Sequence, residues 1–104
     1  MNDFLSFEIT DWMQEDLHLK EGSLVLYAIL FSAGKGEPVK IENLYCRTFY
    51  NLCDEDLYKV HERLVFGGYL EPIAQKGYKP VRDLNQIKAN KKHWDEVQKN
   101  IIRI

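Results

Sequence analysis

The stretch that decides the fold runs from Pro38 to Leu84: PVKIENLYCRTFYNLCDEDLYKVHERLVFGGYLEPIAQKGYKPVRDL. A short apolar segment, Val39 and Ile41, follows Pro38 and reads as a strand. A helix over Glu42–Phe49 comes next, with Leu44, Arg47 and Thr48 on neighbouring turns, and then a turn near Asn51–Cys53. An amphipathic helix over Asp54–Phe66 buries a stripe of Leu57, Val60 or His61, Leu64 and Val65. Gly67-Gly68 stops it. Leu70 to Ile73, a turn over Gln75–Tyr78 and the residues up to Leu84 then make a tight hairpin, in which glycine permits a positive φ. Pro72 and Pro80 cannot donate to a sheet ladder, so they belong at an edge or a strand end.

Outward from this stretch, Ile9, Trp12, Met13 and Leu17 recur at helical spacing and predict a short first helix. Asp11 with Gln14, or Thr10, can cap it. Ser23 is the expected cap of the next helix. That helix, LVLYAILFSA, is apolar on nearly every face, so it belongs in the centre of a core, and Gly34 and Gly36 end it. A last helix over 85–103 carries Ile87, Trp94 and Ile101 at intervals of seven, with Val97 and Ile104 between. This stripe is coiled-coil-like but too short to stand alone. It must pack on its own chain or on a second copy, and Trp12, Ile87, Trp94, Val97 and Ile101 are the candidate residues of a homodimer seam.

Composition limits the function classes. The chain has 104 residues, 45% of them hydrophobic and 29% charged, which suits one soluble domain with its own core. The longest apolar run, Leu24–Phe31, has eight residues, well short of the roughly 20 that span a bilayer. The amino terminus, MNDFLSFE, lacks the basic lead of a secretory signal, so a cytoplasmic location is expected. Cys46 and Cys53 have no zinc-like spacing and read as reduced thiols. The three histidines, His18, His61 and His93, are scattered, and no phosphate-cradling glycine loop occurs. Neither an enzyme nor a metal or cofactor site is expected.

Charge is divided along the chain. The net charge of −2 hides 11 acids against 4 bases in residues 1–57 and 10 bases against 5 acids in residues 58–104. A basic face able to meet an anionic partner is implied. Its candidates are Arg47 near the end of the Glu42–Phe49 helix, Lys59 and Arg63 one turn apart on the Asp54–Phe66 helix, Lys76, Lys79 and Arg82 on the hairpin, and Lys88, Lys91 and Lys92 on the last helix. Such donors grip phosphates without reading sequence.

The order of elements is that of a winged helix-turn-helix: mainly α with a small β-hairpin (α+β), carrying additional amino- and carboxy-terminal helices. The expected domain is 1–104, with a core of about 23–84 and the last helix at about 85–103. The amino-terminal segment also resembles the opening of winged-helix domains of phage and plasmid replication initiators and replisome organisers. The residues that carry the likeness are Phe7, Ile9, Asp11, Trp12 and Met13, then Leu17, Leu19 and Lys20, the helix around Leu26–Leu30, and the ending from Leu64 through Gly68 to Leu70. It covers roughly residues 4–75. The resemblance implies binding of double-stranded DNA, with a helix in the major groove and a wing along the backbone.

The chain departs from that pattern in two places. The turn over Phe49–Leu52 is longer, and Asp54, Glu55 and Asp56 open the helix where hydroxyl or basic residues usually stand. Three carboxylates in a groove would be repelled by phosphates. A second reading therefore stands beside the first: a winged helix turned to protein interaction, docking a basic partner on Asp54, Glu55 and Asp56. Acids in a first helical turn also have a purely structural use, since they oppose the helix dipole by about 0.3–1 kcal/mol each.

Overall fold

The computed structural model describes residues 7–43 and 52–102. The elements run α1 (Asp11–Glu15), α2 (Glu21–Gly34), a 3-10 turn at Ile41–Asn43, α3 (Leu57–Phe66), β1 (Leu70–Ile73), β2 (Gly77–Pro80) and α4 (Leu84–Ile102). The architecture is α+β: helix-rich, with one two-stranded antiparallel hairpin. The helix expected over Glu42–Phe49 falls, past the 3-10 turn, outside the described residues, as do Cys46, Arg47 and Tyr50.

Helix α2 is the central strut. Leu26, Tyr27, Ala28, Ile29 and Leu30 are all buried, as expected of a helix apolar on nearly every face. The Tyr27 hydroxyl donates to the Val81 carbonyl at 2.7 Å, which satisfies a polar tip deep in the core. The same burial pushes the Tyr27 phenol well above its ordinary pKa, the nearby Arg82 charge opposing only in part. The helix starts three residues earlier than a Ser23 cap requires. Lys20 stands at the N-cap with no side-chain hydrogen bond, and Ser23 lies inside the helix. At the other end Lys35 takes the left-handed conformation and its N–H bonds the Phe31 carbonyl, closing the helix just before Gly36.

Against α2 pack α1, through Met13, and α3, through Leu57, Val60, Leu64 and Val65. Leu17, Leu19, Ile41, Leu70, Val81 and Ile87 complete the core. Each fully buried aliphatic contributes roughly 1.5–3 kcal/mol relative to exposure. Trp12 lies at its margin, edge-on to Tyr27 and Phe31 at 6.0 and 5.3 Å between ring centres.

Strands β1 and β2 pair in antiparallel register from Leu70 opposite Pro80 to Ile73 opposite Gly77. Val39 then pairs with Tyr78, each N–H donating to the other's carbonyl at 2.9 Å, so β2 lies between β1 and the residue expected to begin the early strand. Pro72 sits on the outer strand and Pro80 at a strand end, where neither removes a needed donor. Gly68 makes the turn out of α3 at φ +90, and a β-carbon there would run into the Ile87 carbonyl, so α4 can lie directly on this corner. Asn90 reinforces it, its amide donating to the Gly68 carbonyl at 3.2 Å. Asp83 caps α4 by accepting from the Asn85 N–H at 3.0 Å.

Candidate nucleic-acid interface

Helix α3 begins at Leu57, not at Asp54, because Asp56 is its N-cap. The Asp56 carboxylate accepts from the Tyr58 and Lys59 N–H groups at 2.8 and 3.3 Å. Two donors that the first turn leaves unpaired are thus satisfied. Glu55 turns the other way. Its Oε1 accepts from the Gly22 N–H at 3.1 Å, capping the start of α2 from a residue 33 positions distant. Its Oε2 pairs with the Arg63 guanidinium at 3.0 Å. Gly22 is needed for this approach, since a β-carbon there would displace the Glu55 carboxylate. The expected acidic first turn is therefore an acidic approach to the helix, with two of its three carboxylates hydrogen-bonded to groups of the chain itself. Asp54 is exposed.

The outward face of α3 carries Tyr58, Lys59, Glu62 and Arg63, while Leu57, Val60, His61, Leu64 and Val65 face the core. Tyr58 is the most exposed large apolar side chain described, at 58%. Lys59 is exposed and, among the described residues, has no carboxylate within ion-pair distance. Arg63 differs. Besides Glu55 it donates to the Ser23 hydroxyl at 3.4 Å, which aims it at the start of α2 and away from Lys59.

On the hairpin Lys76 sits in the turn, whose closure is a bond from its own N–H to the Ile73 carbonyl at 3.0 Å. Lys79 lies opposite Glu71 in β2. Both lysines are exposed, and neither is ion-paired among the described residues. Arg82, expected with them, is not a hairpin residue. It follows β2 and its guanidinium lies 4.3 Å over the Trp12 ring, a cation–π contact on the α1 side.

His61 joins α3 to the hairpin. Its ring meets Tyr78 edge-on at 4.6 Å between centres. Burial holds its pKa below the usual histidine value, with Glu42 opposing the shift, and Nε2 has no partner among the described residues. His61 is thus packed between α3 and the hairpin, with burial favouring its neutral form. Tyr78 is half-buried and packs edge-on against the His61 ring.

Most of the residues expected in a dimer seam are taken up within the chain. Ile87 is a core residue at 6% exposure, so it has no surface to offer a second copy. Trp94 packs edge-on against Phe66 at 5.4 Å, and Trp12 against Tyr27, Phe31 and Arg82. Val97 is half-buried, and the Ile101 side chain lies outside the described residues. For Ile87 and Trp94 the partner of the seven-residue stripe is the Gly68 corner and Phe66 of the same chain.

Two long-range contacts left no signal in the sequence. Glu55 to Gly22 and Arg82 to Trp12 join residues far apart in the chain, and no local pattern encodes them. Among the described residues no group of three or more His, Cys, Asp or Glu side chains could hold a metal ion, and no helix is long and apolar enough to cross a membrane. Comparison of the chain with protein-family models, curated proteins and solved structures finds no match.

Proposed function

We propose that the chain is a winged helix-turn-helix that binds double-stranded DNA through its phosphates. In this reading Lys59 on α3 and Lys76 and Lys79 on the hairpin grip the backbone, and Tyr58 enters the groove beside Lys59. The observation that carries it is the internal use of the acidic segment. With Glu55 paired to Arg63 and Asp56 turned to the helix N-terminus as a cap, the electrostatic objection to DNA at α3 is reduced, though Asp54, Asp56 and Glu62 still present exposed carboxylates there. The order helix, 3-10 turn, α3, hairpin, with Val39 paired to the hairpin's inner strand, supports the winged-helix assignment. The resemblance to phage and plasmid replication domains suggests a role in replication or transcription control. All the gripping groups come from one chain, so the reading needs no second copy.

Fluorescence anisotropy of a labelled random-sequence duplex tests this. Three phosphate contacts imply a slope of log K against log salt of about −3, and a loss of roughly 40-fold in affinity between about 50 and 200 mM salt. No binding at the lower salt, or binding indifferent to salt, overturns the proposal. The competing reading, a basic protein partner docked on Asp54, Glu55 and Asp56, draws less support because that surface has only one unengaged carboxylate.

A further inference from the structure

A cavity of about 460 Å³ opens beside α3, between the residues leading into α2 and the first half of α4. Its lining brings together cations from three separate elements: Lys20 before α2, Arg63 near the end of α3 and Lys91 on α4, with His18 beside them. Among the described residues the lining has one carboxylate, Glu21, and Arg63 is itself paired with Glu55, so Lys20 and Lys91 carry the uncompensated positive charge. Like charges drawn into one concavity repel one another unless an anion joins them, and their field there is focused by the low-dielectric walls. Among the described residues neither Lys20 nor Lys91 is ion-paired.

Arg63 is the fixed point of the cavity. It is held by Glu55 at 3.0 Å and by the Ser23 hydroxyl at 3.4 Å, and a guanidinium carries more N–H donors than these two contacts use. The remaining wall is apolar or aromatic: Leu19, Leu64 and Tyr69, whose hydroxyl is already committed to the Leu17 carbonyl at 3.0 Å. A charged rim over an apolar wall, with a volume within the range of small-molecule sites, suits a phosphate attached to something flat or apolar.

We propose that this cavity is a phosphate-binding site, in which Lys20, Arg63 and Lys91 hold the phosphate group of a nucleotide or of a nucleic-acid backbone. The site uses none of Lys59, Lys76 and Lys79, so it stands or falls separately from the DNA reading of α3 and the hairpin.

The test is a titration of the full chain, followed by amide NMR, with inorganic phosphate and with a nucleoside 5′-monophosphate. Anisotropy on the labelled duplex is measured in parallel. Lys20→Glu and Lys91→Glu are the variants, and Lys99→Glu, far along α4, is the charge control. Phosphate is expected to shift the resonances of residues 18–23, Arg63 and Lys91. Each variant should weaken that binding at least about tenfold, as loss of a charged hydrogen bond does, with the control within about twofold. Tighter binding of the monophosphate than of phosphate identifies a free nucleotide as the ligand. Loss of duplex affinity in both variants, without binding of either small probe, identifies the backbone phosphate. The proposal is overturned if neither small probe shifts these resonances and both variants bind the duplex like wild type. It is equally overturned if phosphate binding survives both substitutions. A duplex that fails to bind while phosphate does would remove the DNA reading and leave this site standing.

Discussion

Two charged segments flank α3. Before it stand Asp54, Glu55 and Asp56; after it, on the hairpin, stand Lys76 and Lys79. In sequence both read as solvated charge, and either could be the docking surface. In the fold they differ in kind. Asp56 caps the helix and Glu55 ties α2, α3 and Arg63 together, so these acids are spent on structure. The lysines of the hairpin, with Lys59, have no ion-pair partner among the described residues. The sign of a charged run therefore says less about function than whether its charges are already satisfied.

Substitutions on the two sides should separate accordingly. The largest effect falls on the basic side. Lys76→Glu with Lys79→Glu should lower duplex affinity by about 100-fold at low salt, on the order of 2–3 kcal/mol, on every sequence alike. The melting temperature should fall by only a few degrees, the cost of a carboxylate at position 79 opposite Glu71, as the thermal unfolding curve can verify. On the acidic side the response should be inverted. Glu55→Ala removes the charged bond to the Gly22 N–H and the ion pair to Arg63. Urea titration should register a loss of about 1.5–2 kcal/mol, moderated by the partial exposure of both side chains.

His61 supplies a third case, a charge withheld. Its folded pKa lies below the unfolded value of about 6.5, so the unfolded state takes up the proton first as pH falls. Its contribution to stability is present above about pH 6.5 and is lost as pH drops through the folded value, at no more than about 1.4 kcal/mol per pH unit. A His61→Gln chain should show a shallower decline in urea titrations across that window. Asp56→Ala should cost about 1 kcal/mol by loss of the cap. Asp54→Ala should change stability by less than about 0.5 kcal/mol, the usual effect of an exposed substitution. If Asp54 and Asp56 proved equally costly, the distinction drawn within the acidic segment would fail.

The parts of this molecule governed by local chemistry were legible in its sequence. The apolar run Leu24–Phe31 announced α2, Gly67-Gly68 the end of α3, and the Lys76-Gly77 step the hairpin, whose turn lies at residues 74–76 with Gly77 and Tyr78 already in β2, since propensity and glycine freedom act within a few residues. The start of α3 was misplaced by three positions because an aspartate can sit inside a first turn or cap it, and composition does not distinguish the two. Ser23 was read as a cap and instead accepts a hydrogen bond from Arg63, 40 residues away. The seven-residue stripe of α4 was correctly apolar, yet which surface covers it depended on Gly68 bringing the helix close. Of the basic candidates, Lys59, Lys76 and Lys79 remain exposed together with α3 and the hairpin, Arg63 and Arg82 are turned to other partners, and Arg47 lies outside the described residues.

The most direct test of the account is the salt dependence of duplex binding by the wild type and by a Lys76→Gln, Lys79→Gln chain. Each lost phosphate contact removes about 0.9 from the slope of log K against log salt. The account predicts a slope near −3 that falls to about −1 in the variant. A slope that is the same in both chains would contradict it, because the hairpin lysines would then touch no phosphate.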